Sequence, residues 1–450
     1  MSESRPESRS ESRSIKRVVG ASMIGTTVEW YDFFLYGSAA ALVFNKLFFP
    51  DADPLTGTLL AFATYAIGFV ARPLGGLVFG HYGDKLGRKK LLVLSLLLMG
   101  GATFAMGLLP TYASIGVAAP LLLVFLRLVQ GFAVGGEWGG AVLIVSEHGD
   151  QRRRGFWASW PQAGVPGGNL LATAVLAILA GVQSDAAFEA WGWRIPFLLS
   201  GLLVGIGLWI RLAVAESPVF LEAVKQAGDK PAPEKAPIVT VLRHSWREVL
   251  IAMGARFAEN VSYYVITAFV LVYLTSHLDL PKSVGLNAVL VGSAVHFVTI
   301  PFWGWLSDVI GRRAVYLFGA TGMLVWSFLF FTMLDTESAL GTMVAVTVGL
   351  VLHGAMYGPQ AAFFSELFGT RVRYSGASIG YQLASIIAGG IAPLIATALL
   401  SSTGSSLMIS VYVAATCVVT IVAVFVAKET RGTSLADAGP RTDASVTMKG

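Results

Sequence analysis

Apolar residues fall along this chain in long runs separated by short polar stretches, and about twenty such residues suffice to cross a bilayer as a helix. Marking the runs gives twelve, at 18–45, 57–80, 90–110, 119–147, 154–182, 191–214, 246–276, 284–307, 313–333, 338–366, 373–401 and 405–427. The pattern predicts an all-α integral membrane protein. Composition points the same way: the 450 residues are 55% hydrophobic and only 13% charged, outside the range of ordinary soluble domains.

Lys and Arg in the loops set the predicted orientation, because positive charge is retained on the cytoplasmic side. The loops after spans 2, 4, 6, 8 and 10 hold sixteen of them, whereas the six opposite loops hold two, Lys46 and Lys282. Twelve spans with both termini cytoplasmic follow. The pI near 9.2 is accounted for by this topology, so no nucleic-acid partner is read into it. The Ser/Glu/Arg-rich start has no apolar core and no small-residue cleavage site, so it is expected to be a disordered tail over 1–17 rather than a signal peptide. The single cysteine, Cys417, excludes an internal disulfide and any thiolate metal site.

The longest polar interruption, 215–245, has the Pro and Lys content of a linker and divides a first bundle of six spans, 18–214, from a second, 246–428, with a cytoplasmic tail over 429–450. Motifs on either side of it match. Gly80-His-Tyr-Gly-Asp84-Lys-Leu-Gly87-Arg88-Lys89 corresponds to Gly304-Trp-Leu-Ser-Asp308-Val-Ile-Gly311-Arg312-Arg313 at an offset of 224. Glu147 and Arg154 correspond to Glu366 and Arg373 at an offset of 219. Near-constant offsets signal internal duplication, and a duplicated six-span half with a path between the halves is a transporter architecture. In the Asp-x-x-Gly-Arg turns the Gly permits a tight reversal and the basic residues anchor at an anionic surface. Asp84 is then free to bond a neighbouring helix N-terminus or an Arg, a contact that can lock one state. The plainer alternative is an ordinary positive-inside turn.

Several stretches resemble the major facilitator superfamily and, within it, the metabolite:proton symporter family: "VEWYDFFLYG", "GFVARPLGGLVFGHYGDKLGRKK", "LRLVQGFAVGGEWGGAVLIVSEH", "WGWRIPFLLSG" and "SELFGTRVRYSGASIGYQLAS". Through "WYDFFLYGSAAALVFNKLFFP" the chain is most similar to the shikimate transporter branch; proline/betaine, 2-oxoglutarate and citrate carriers form other branches. Glu29 and the polar pattern of "ARFAENVSYY" depart from the shikimate branch, which bears on the substrate rather than the fold. The resemblance implies a twelve-helix fold in two pseudo-symmetric bundles and proton-coupled uptake of a small polar solute across a bacterial cytoplasmic membrane. The implied carrier has no cofactor beyond the proton gradient and works as a monomer.

An ionisable group deep in a span costs about 2.5–3.5 kcal/mol on insertion scales and marks a pathway or a proton site by default. Glu29 and Asp32, one turn apart on span 1, share a face, and neighbouring carboxylates in a low-dielectric cavity disfavour joint ionisation, which suits proton coupling. The alternative is an ion pair with Arg72 of span 2, read chiefly as structural, or Arg127 of span 4. Arg127, with Gln130 one turn on, could instead take a substrate carboxylate in two bonds. Glu137 sits among Gly135, Gly136, Gly139 and Gly140, which permit a close helix contact, and joins the proton-coupling candidates. In span 7, Arg256 and Glu259 either pair with each other or, with Asn260, Tyr263 and Tyr264, form a polar cavity wall. Tyr31, Trp160, Gln162, Tyr357, Gln360, Tyr381 and Gln382 are further candidates to touch a small polar solute. Asp84, Arg88, Glu147, Arg154, Asp308, Arg312, Glu366 and Arg373 are assigned to structure or gating. His296 and His353 read as isolated, satisfied interior histidines. Prolines and glycines at Pro161, Pro166, Gly389, Gly390 and Pro393 allow bending of spans 5 and 11. No metal-ligand spacing, nucleophile elbow or phosphate loop is present, so an enzyme is not expected.

Overall fold

The computed structural model describes residues 6–86, 88–135, 145–146, 151–213, 243, 245–368 and 373–433, without the side chains of 6–18, 77, 80–92, 151, 210–213 and 373–375. Twelve helical passes follow one another. Span 1 is Pro6–Ala39, continued by a π-turn at Ala40–Phe44; span 2 is Pro54–Leu86, span 3 Arg88–Leu108 and span 4 Ala118–Val134. Span 5 is Arg154–Val182 and span 6 Arg194–Ala213. Span 7 is Trp246–His277, span 8 Lys282–Ile310, span 9 Arg312–Leu334 and span 10 Ala339–Leu367. Span 11 runs from Arg373 to Thr403 and span 12 is Leu407–Val426. The 215–245 linker lies largely outside the described residues, as does the tail beyond Thr433.

One expectation changes. The helix of span 1 begins at Pro6, so residues 6–17 are helical where a disordered tail was expected. Proline suits a first helical position, and once the apolar part of the span has nucleated, each added residue gains a hydrogen bond. Among the described residues, fewer than twelve helices are both long and apolar enough to cross on that ground alone. Eight described helices are apolar and long enough to cross, and the 45° bent pair Asp185–Gly192 and Arg194–Trp209 makes a ninth. Span 1 is diluted by Glu29, Asp32 and its Trp and Tyr residues, and the described parts of spans 3 and 4 are short.

Spans 3, 6, 9 and 12 turn large apolar side chains outward, among them Leu97, Leu202, Phe318 and Val422, as helices bordering lipid must. Span 7 is the most enclosed, with 94% of its apolar window buried. The two halves meet along three seams: span 5 against spans 8 and 10, span 2 against span 11, and span 1 against span 7. Small residues make the first seam possible. A Cβ on Gly155 would lie 2.5 Å from the Gly304 carbonyl oxygen, so backbone meets backbone across the halves. On the second seam a Cβ on Gly390 would lie 2.5 Å from the Phe69 ring. There span 11 forms a π-turn over Ser385–Gly390 and restarts at Ala392, the break its glycines and Pro393 predict. Span 5 instead carries Pro161 and Pro166 without interruption.

Candidate functional site

The halves enclose a cavity of about 10 Å³, room for roughly one water. Its wall consists of Trp30 and Val165 from the first half and Arg256, Glu259, Asn260, Tyr263, Tyr264, His353, Tyr357 and Tyr381 from the second. Spans 7, 10 and 11 therefore supply the polar chemistry, while spans 1 and 5 close the chamber. Toward the face opposite the basic loops, Phe33, Phe34, Tyr65 and Phe69 of the first half cluster on Tyr263 and Tyr264 of the second, with ring centroids 5.4–6.4 Å apart. Beyond them Lys282 reaches Asp185 of the other half at 2.7 Å.

Arg256 organises the polar wall. Its Nη1 donates to Gln360 Oε1 at 2.8 Å and its Nη2 to Asn260 Oδ1 at 3.1 Å and Ser385 Oγ at 3.3 Å. The guanidinium stacks 3.4 Å over the Tyr381 ring and lies 3.4 Å from Glu259 Oε2. Gln360 Nε2 bridges Glu259 Oε2, at 3.2 Å, and the Tyr316 hydroxyl, at 2.9 Å. Both readings of the Arg256–Glu259 pair thus hold together: the two bond each other and line the cavity. Three buried polar atoms at this wall, Arg256 Nε, Asn260 Nδ2 and the Tyr263 hydroxyl, have no hydrogen-bond partner among the described residues. Buried donors are paired in the great majority of cases, so such atoms ask for a ligand or water.

The first-half candidates lie elsewhere. Asp32 is fully buried but turns into the first bundle, where its Oδ1 accepts from Ser200 of span 6 and its Oδ2, 3.7 Å from where a Cβ on Gly100 would stand, has no partner among the described residues. Tyr31, expected at the substrate, donates instead to the Pro196 carbonyl at 2.8 Å. Arg127, also expected there, donates to Gln130, and Gln130 donates to Thr103 at 2.9 Å. The Arg127 guanidinium lies 4.4–4.6 Å from the Phe33, Tyr36 and Tyr65 rings, and Arg72 lies 4.2–4.4 Å from Phe69 and Phe33. No ion pair joins either arginine to Asp32 among the described residues; aromatic faces take that place. Glu29 is buried on span 1 and Gln162 on span 5, and neither lines the cavity. Helical spacing put Glu29 and Asp32 on one side of span 1, but packing against spans 3 and 6 decides which neighbours Asp32 meets. Gln382 crosses the halves, its Nε2 donating to the Gly135 carbonyl at 3.3 Å.

The gating set is half visible. Asp308 accepts from the backbone N–H groups of Gly155 and Phe156, both at 2.9 Å, and so caps span 5 of the other half while bonding Arg312 at 2.6 Å. Gly311 sits at φ +108°, where a side chain would be strained, which explains the glycine in that turn. Glu366 holds Arg154 of the first half at 2.8 Å, and it holds Arg312 at 3.1 Å. Glu137 and Glu147, and the side chains of Asp84, Arg88 and Arg373, lie outside the described residues.

Sequence reasoning missed His296 and His353. They are 57 positions apart, yet His353 Nδ1 lies 2.9 Å from His296 Nε2, and His353 Nε2 lies 3.3 Å from Glu259 Oε1. The signal was available: a histidine midway along a span is an intramembrane ionisable group like any other.

Comparison with known proteins agrees with this architecture. The family model "Sugar (and other) transporter" matches residues 18–440. The Escherichia coli shikimate transporter is 40% identical over 92% of this chain and 95% of its own length. The E. coli inner membrane metabolite transport protein YhjE is 40% identical over 94% and 96%, and the E. coli proline/betaine transporter 33% identical over 95% and 86%. Among solved structures, a D-xylose-proton symporter superposes with a TM-score of 0.73 at 16% identity, covering 93% of this chain and 99% of that one.

Proposed function

This chain belongs to the sugar (and other) transporter family of the major facilitator superfamily, as a multi-pass membrane transporter and not an enzyme, and from that premise we propose that it carries a small carboxylate-bearing metabolite inward together with protons. The observation that carries the substrate reading is Arg256. It is a buried guanidinium on the wall of the central cavity with its Nε unpartnered, and its fork geometry suits a carboxylate. Asn260 and Tyr263 offer further donors for hydroxyl or carbonyl oxygens, and Trp30, Tyr264 and Tyr381 supply flat walls for a ring. A hydroxylated cyclic acid of the shikimate type fits that chemistry, and a relative bears that name. The walls must part to admit it, which alternating access provides.

Asp32 serves the proton, being fully buried with one carboxylate oxygen unpartnered. The relatives' names support a bacterial inner membrane, and the basic loops support cytoplasmic termini. The carrier acts as a monomer and needs no cofactor. Glu259 beside Arg256 gives a second reading some footing, since paired charges also suit a zwitterion such as proline or betaine.

The test is uptake of labelled shikimate, proline, glycine betaine, 2-oxoglutarate and citrate into energised proteoliposomes, with and without an uncoupler. Uncoupler-sensitive accumulation of shikimate is expected. Accumulation of only the zwitterions would establish the second reading, and equilibration without accumulation would reduce the protein to a facilitator.

A further inference from the structure

We propose that His296, His353 and Glu259 form a proton relay in the second half, and that the proton delivered to Glu259 frees Arg256 for the substrate's carboxylate. The proposal deepens the symport reading and rests on it. It adds a second proton-binding group, on the cavity wall itself, to Asp32 in the first bundle.

The three groups stand in line across spans 8, 10 and 7, with contacts of 2.9 Å and 3.3 Å, and both imidazoles are buried. With both rings neutral and Glu259 ionised, the His296 Nε2–H donates to His353 Nδ1 and the His353 Nε2–H donates to Glu259 Oε1. The far end of the line, His296 Nδ1, then carries a lone pair and has no partner among the described residues. A proton arriving there sends the Nε2 proton of His296 to His353 and the Nε2 proton of His353 to Glu259. One proton has entered, one carboxylate has become neutral, and both rings remain neutral with their hydrogens moved to Nδ1. The donors and acceptors are used along the line rather than aimed at a common point, and no group of three His, Cys, Asp or Glu among the described residues could hold a metal ion.

Charge balance links this to the substrate. Arg256 and an ionised Glu259 leave the buried cavity neutral, and a substrate carboxylate would add an uncompensated charge. Protonated Glu259 no longer competes for Arg256, and Arg256 plus substrate is neutral again. The remaining groups facing the line do not interfere in the physiological range. Tyr263 and Tyr357 lie with ring centroids 4.8 Å and 5.4 Å from His353, Tyr316 is reached through Gln360, and Tyr381 lies under Arg256. Phenols ordinarily ionise near about 10.

The experiment is an infrared titration of the purified full-length protein in lipid from about pH 8 down to about pH 3, with the proton itself as the probe. Wild type is expected to show a protonated-carboxyl signal, part of which disappears in Glu259→Gln and persists in Asp32→Asn. Glu259→Asp keeps a carboxyl signal and so controls for folding. His353→Gln and His296→Gln should each move the midpoint by about one unit or more. A signal unaltered in Glu259→Gln, or a midpoint unmoved in both histidine variants, overturns the relay. Shikimate uptake is read alongside: failure of the wild type to accumulate it sinks the symport reading, while the titration still decides the relay. If wild type accumulates it, Glu259→Gln should lose at least about tenfold in accumulation and His296→Gln should shift its pH profile.

Discussion

Arg154→Gln should open the basic face of the molecule. Arg154 belongs to the first half and Glu366 to the second, so their 2.8 Å pair, both side chains buried, exists only while the halves meet there. Breaking a buried pair outright costs about 3–5 kcal/mol when the surviving charge is stranded. Here it is not stranded, because Glu366 keeps Arg312 at 3.1 Å and the Thr430 hydroxyl at 2.7 Å. The loss is therefore that of a charge-assisted hydrogen bond, about 1.5–3 kcal/mol, and the open-to-closed ratio should rise about ten- to 150-fold. Cys417 is the only cysteine, so Cys417→Ala gives a silent background. Val165→Cys then places a reporter on the cavity wall, about 16 Å along span 5 from Arg154. Labelling by an impermeant maleimide from the basic side should accelerate in Arg154→Gln, and less in Arg154→Lys, which keeps the charge. A labelling rate unchanged by Arg154→Gln would refute the idea that this pair holds the face shut.

Further outcomes follow from other contacts. Arg256→Lys retains charge but loses the fork, so half-saturation for shikimate uptake should rise about tenfold or more, and Arg256→Gln should cost more still; saturation kinetics in proteoliposomes decide this. Gly390→Ala places a methyl 2.5 Å from Phe69 and should slow uptake, with Phe69→Leu in the same chain restoring part of it. In the Asp185–Lys282 pair the carboxylate is exposed and the lysine half-buried, and the hydrogen bond to Lys282 holds the Asp185 carboxyl below its ordinary value of 3.8. Its contribution is thus present above that value and lost as pH falls through the depressed one. Labelling from the opposite face should accordingly differ little between Asp185→Asn and wild type at neutral pH, since exposed pairs contribute about 0–1 kcal/mol.

The twelve passes, their duplication and the basic face were legible because each depends on local composition or on repetition along the chain. The Asp308–Gly311–Arg312 turn was legible for the same reason: a glycine, a capping carboxylate and a cation at fixed spacing imply their own geometry. What could not be read was which neighbours a helix would meet. Asp32 and Tyr31 look into the first bundle because spans 3 and 6 pack there, and nothing in "VEWYDFFLYG" specifies that packing. Arg256, Glu259, Asn260 and Tyr263 fared better because their density in one stretch of span 7 already described a polar wall. The histidine line needed spans 8 and 10 side by side, a fact of tertiary structure alone.

The two entrances are sealed with different materials. On the basic side the seal is ionic, made by Arg154, Glu366 and the Asp308 cap; on the other it is mainly aromatic, set beside the π-turns of spans 1 and 7. Salt weakens exposed pairs but screens buried ones such as these far less, whereas aromatic packing answers chiefly to temperature and to anything that alters hydrophobic burial. A repeated fold has thus acquired an energy landscape without mirror symmetry. Warming should therefore bias which way the carrier rests while added salt leaves the buried ionic seal largely in place, so its resting orientation answers to temperature more than to ionic strength.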